Sequence, residues 1–106
     1  MKMEERQRDR ISKKLLIKVD GHTCIMLDMS KTGMRLIVPF LLKKQAVDII
    51  FQMENVLLEL KGIIRWIKKE LIVYDQVQYQ VGVSLIAPPE EYTILIEKLL
   101  SNQPVD

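Results

Sequence analysis

Cysteine, histidine and aromatic residues are all scarce in this 106-residue chain, and each scarcity narrows what the protein can do. The single cysteine, Cys24, has no internal disulfide partner, which fits a reducing cytoplasm, and its place in an apolar alternation points to packing over reactivity. The single histidine, His22, follows a turn dipeptide and reads as an ordinary strand residue, in no recognisable catalytic or metal-ligand spacing. No glycine-rich phosphate loop, CxxC pair, HExxH or GxSxG segment occurs. The expectation is a protein that is not an enzyme and holds no metal or cofactor. Aromatic residues are 6% of the chain, too few for base stacking across a sheet face, which argues against an RNA-binding barrel. A net charge of +2 gives no whole-molecule field of the kind that draws in DNA. No apolar run is long enough to span a bilayer, and the charged N-terminus is unlike a secretory signal. A cytoplasmic domain without membrane insertion is expected.

What is present is mostly strand. The hydrophobic fraction of 48% is ample for one core. In "LLIKV", Leu15, Ile17 and Val19 share a face, and Asp20-Gly21 is a hairpin dipeptide that returns the chain as "HTCIMLD". Met34, Leu36 and Val38 alternate up to Pro39; Val47, Ile49, Phe51 and Met53 do the same before a turn at Glu54-Asn55. In "VLLELKGIIRWIKK", Val56, Leu58, Leu60, Ile64 and Trp66 are in phase, which predicts a bulge or bend at Gly62 and favours Trp66 in the core over a role as a stacking platform. A short strand "LIV", a turn near Asp75 and a last alternation through Val83 and Leu85 follow. From Pro89 the period changes: Tyr92, Leu95, Ile96, Leu99 and Leu100 mark one face of a helix, with Glu90 and Glu91 at its positive end and Lys98 at the other. Six or seven short strands and a C-terminal helix predict a small closed antiparallel β-barrel. We divide the chain into a flexible basic arm at 1–13, a barrel plus helix at 14–101 and a tail at 102–106.

Two segments carry chemistry. The arm contains "RQRDR", with Arg6, Arg8 and Arg10; a planar guanidinium grips phosphate through two N–H groups, reads the O6/N7 edge of guanine or stacks on a base. The segment "LDMSKTG" ends an apolar strand with Asp28, Ser30 and Gly33. Turn chemistry alone favours such residues. Yet a carboxylate at Asp28 can also accept from guanine N1–H and N2–H₂, Ser30 adds a hydroxyl, and Gly33 lets the backbone turn and approach a ligand. Together the two segments suit an anion that carries guanines.

An RxxxR at Arg6 and Arg10, one strand, and then DxSxxG at Asp28, Ser30 and Gly33 resemble the PilZ family. "GMRLIVP", "KGIIRWIKK" and "YQVGVSLI" resemble its later strands, so the likeness runs through most of the chain. The resemblance implies a six-stranded antiparallel barrel with a C-terminal helix, and a bacterial cyclic di-GMP receptor of the kind that governs motility or biofilm formation. It implies Arg6 and Arg10 as a clamp, Asp28, Ser30 and Gly33 as the platform, and Arg8 as a helper within the spacer. The residue before the first arginine, which in the family bears on whether one ligand or a stacked pair binds, is Glu5. Ligand binding would order the arm and present a changed surface to a separate effector protein. An alternative is a nucleotide-independent PilZ-like interaction module in pilus or motility assembly. Arg65, Lys68 and Lys69 read as a solvated strand end or a positive rim, and Leu41, Leu42 and Ile94 as residues that bury locally or meet a partner or a second copy in a homodimer.

Overall fold

A computed structural model of the chain describes residues 10–40, 42–73 and 76–102. The expected alternations become six strands: β1 (Ile11–Val19), β2 (His22–Met29), β3 (Gly33–Val38), β4 (Ala46–Met53), β5 (Val56–Val73) and β6 (Gln76–Leu85). They close in the order β1-β2-β3-β6-β5-β4, every neighbour antiparallel, and the closing β1–β4 seam is short, pairing Lys18 with Ile50 and Val19 with Ile49. The helix α1 (Glu90–Ser101) follows β6.

Local chemistry sets the tight connections. Asp20 and Gly21 take φ of 49° and 85°, and Glu54 and Asn55 take 54° and 64°, the left-handed pairs that match the twist of a two-residue hairpin. Inward positions fill the barrel with Val19, Met26, Met29, Met34, Leu36 and Ile49, all essentially without solvent contact. Unbranched methionines suit such an irregular interior. Helix α1 adds Tyr92, Leu95 and Ile96 to the same core. Pro89 is its N-cap and not its first helical residue, with Glu90 and Glu91 in the first turn and Lys98 in the last.

Three expectations are revised. The segment "LIV" is not a separate strand; it is the end of an 18-residue β5 that pairs first with β4 and then, from Gly62 onward, with β6. Gly62 does not interrupt pairing with β4; a side chain there would collide with Val83, so the glycine serves close packing. Strand β1 opens at Ile11, inside the segment assigned to the arm, because Ile11 is buried against Met29 in the β1–β2 ladder. The expected turn near Asp75 and the apolar Leu41 lie outside the described residues. Leu42 buries locally against the core, Ile94 stays exposed, and Cys24 is buried, its thiol pushed up to about 11 by burial.

Candidate functional site

Two bulges assemble a row of side chains on the outer face of the barrel. Cys24 and Met26 point inward, so strict alternation would send Asp28 inward as well. Between Met26 and Asp28 the ladder shifts, and Leu27 is the extra residue against β3. The shift makes Asp28 pair with the outward Arg35, while Met29 pairs with the inward Met34. The same happens on β5: the register shifts between Ile64 and Trp66, Arg65 is the extra residue, and Trp66 lands opposite Gly82. Reading across the pairs gives Ser12, Asp28, Arg35, Gly82 and Trp66, one transverse row over β1, β2, β3, β6 and β5.

Asp28 is the electrostatic centre of that row. It is only 2% exposed. Arg10, just before β1, donates from Nε and Nη2 to Oδ1 at 3.0 and 2.7 Å, and Arg35 donates from Nε to Oδ2 at 2.6 Å, with its Nη2 also paired to that oxygen. Burial alone would raise the carboxyl pKa; hydrogen bonds and charge from Arg35 and Arg10 outweigh it and hold Asp28 below the ordinary carboxylate range. A buried anion paired on both oxygens is a fixed anchor for two guanidinium groups.

The segment after Asp28 is a closed turn. The Ser30 amide donates to the Gly33 carbonyl at 2.8 Å, and the Thr32 amide reaches Ser30 Oγ at 3.3 Å. Ser30 is buried, and its hydroxyl serves the turn. Gly33 does not take a positive φ. It is required for a different reason: a Cβ there would run into the Val83 carbonyl of β6. Behind the turn, the buried Tyr92 hydroxyl of α1 donates to the Ser30 carbonyl at 2.5 Å.

In front of it lies an open cleft of about 390 Å³, lined by Arg10, Arg35, Arg65, Trp66, Gly33 and Ser84 among others. Among the described residues three arginines and no acidic residue line it, a lining whose field suits an anion. Arg65 donates from Nε to Ser84 Oγ at 3.0 Å. Trp66 is 43% exposed and lies over Gly82, where any Cβ would strike the indole. Its expected place in the core is therefore wrong, because the bulge at Arg65 reverses the phase counted from Leu58.

Of the residues singled out in the sequence, Arg10, Asp28, Ser30 and Gly33 come together around this turn, with Asp28 beneath the arginines and not on the cleft wall. Arg6 and Arg8 lie outside the described residues. From the sequence, Arg35 had no role, and Trp66 and Tyr92 were placed in the core without a part in the site. Arg35 could have been found as the one charge in an apolar strand, on the outward phase of "GMRLIV".

Comparison with protein families matches the PilZ domain over residues 3–102. No curated protein and no solved structure matches the chain.

Proposed function

Because the chain belongs to the PilZ domain family, we propose that it is a receptor for cyclic di-GMP and signals ligand binding to a separate effector protein. In this reading the dinucleotide lies between the RxxxR arm, with Arg6 and Arg10 and with Arg8 as a helper, and the DxSxxG segment, in which Gly33 lines the cleft, Asp28 acts through the arginines it holds and Ser30 through the turn it closes. The observation that carries it is the cleft lined by Arg10, Arg35 and Arg65, the first two held by Asp28.

The chemistry fits the class of ligand. Cyclic di-GMP presents two phosphodiester anions and two guanines, and guanidinium groups match both the phosphate oxygens and the guanine O6/N7 edge. Asp28 holds Arg10 and Arg35 in place before a ligand arrives, which lowers the ordering cost of binding. The exposed face of Trp66 offers a base a stacking surface at the far end of the cleft.

Fluorescence anisotropy of labelled cyclic di-GMP tests this reading. Anisotropy should rise at micromolar protein and be reversed by unlabelled cyclic di-GMP, but not by equal GTP or cyclic di-AMP. No rise, or equal displacement by all three, would contradict it and leave the nucleotide-independent interaction module as the better account.

A further inference from the structure

The turn at the site is held from both sides, and its rear support comes from the far end of the chain. Tyr92, fully buried in α1, donates its hydroxyl to the Ser30 carbonyl at 2.5 Å. The ring is fixed by the edge of Phe51, with centroids 6.3 Å apart at 89°. Five residues further along the same helix, Glu97 accepts from Lys31 Nζ at 3.1 Å. Ser30 and Lys31 are therefore both tied to α1, while the Ser30 amide closes the turn on Gly33. The residues on either side of these ties are Asp28, which anchors Arg10 and Arg35, and Gly33, which lines the cleft.

A core position that needed only bulk would take phenylalanine as readily as tyrosine. Here the hydroxyl has a specific acceptor, and removing it leaves that buried carbonyl without this donor. Such a loss falls on the Ser30 peptide and thus on the segment that sets the height of Asp28 beneath the arginines.

We propose that Tyr92 is a positioning residue for the anion cleft: through the Ser30 carbonyl it couples helix α1 to the Asp28–Gly33 segment, so that ligand binding and helix docking strengthen each other. The coupling to ligand rests on the cyclic di-GMP reading above; the coupling of helix to turn does not. Linkage makes the effect reciprocal, so a ligand that tightens the turn also tightens the helix.

The test is Tyr92→Phe in the full chain, with amide hydrogen exchange first measured without nucleotide. Exchange at the Ser30 and Thr32 amides, which bond to the Gly33 carbonyl and to Ser30 Oγ, should speed up about tenfold, the fold-change of one buried hydrogen bond, while the distant Asp20-Gly21 turn is unchanged. Cyclic di-GMP affinity, read well below the melting temperature, should weaken by a similar factor. Equal acceleration at both turns, or no acceleration at either, would overturn the proposal. If Tyr92→Phe fails to fold, exchange of the wild type in low urea replaces it: the Ser30 and Thr32 amides should open in one step with those of α1 and with the same urea dependence, and separate opening would overturn the proposal. If the wild type binds no cyclic di-GMP, the exchange result still decides the helix–turn coupling, and only the ligand reading fails.

Discussion

Asp28 on β2 and Arg35 on β3 stand directly opposite each other on the outer face of the barrel, although the alternation of β2 alone would bury Asp28 beside Met26. The extra residue, Leu27, reverses the phase and converts a core position into an anchor. Arg10 completes it from the start of β1. An anion in this position organises cations, and a neutral isostere cannot. Asp28→Asn should therefore cost about 1–3 kcal/mol of stability, read as a lower urea midpoint with unchanged slope. It should also weaken any anionic ligand, because Arg10 and Arg35 lose the group that holds them.

The pH dependence of that loss has a defined sign. The folded-state pKa of Asp28 lies below its unfolded value, because the two arginines outweigh burial. Its contribution is thus complete above the unfolded carboxyl pKa of about 3.9 and is lost as pH falls through the folded value. The difference in urea midpoint between wild type and Asp28→Asn should be flat from neutral pH down to about 5 and shrink below about 4. A difference that grows on acidification would contradict the assignment.

Gly82 separates Arg35 from Trp66 in the transverse row and leaves space for the indole. Gly82→Ala should push Trp66 off the sheet, at a cost of about 1–3 kcal/mol as for other overpacked sites. Trp66 is the chain's only tryptophan, so its emission reports the displacement directly, as a shift to longer wavelength.

Trp66 should also report on ligand. Cyclic di-GMP added to the wild type is expected to quench its emission, and Trp66→Ala should weaken binding at least about fivefold, the low end for loss of one stacked base. The far-ultraviolet circular dichroism of that variant should match the wild type, since Trp66 lies on the barrel's outside.

The comparison of sequence with structure turns on those two bulges. Strand positions, both left-handed hairpins and the helix were legible because period-two and period-3.6 patterns and turn residues are local signals. The inward faces of β3 and β4, and of β1 from Leu15 onward, followed from alternation alone. Trp66 and the pairing of Asp28 with Arg35 did not, because a bulge leaves no compositional mark: Leu27 and Arg65 are ordinary strand residues. Gly33 was recognised as necessary, but the reason lies in the Val83 carbonyl of a strand some fifty positions away, which no local rule contains. Tyr92 looked like helix core, and it is; its hydroxyl acquires meaning only once Ser30 is seen beneath it.

The central claim, a cyclic di-GMP site built on Arg10 and Asp28, is tested most directly by isothermal titration of cyclic di-GMP into the wild type and Arg10→Ala, after circular dichroism shows both folded. The account predicts a saturable heat for the wild type at micromolar protein and at least a tenfold weaker affinity for Arg10→Ala, the scale of one lost charge-assisted contact. No heat with the wild type, or the same affinity for both proteins, would contradict it.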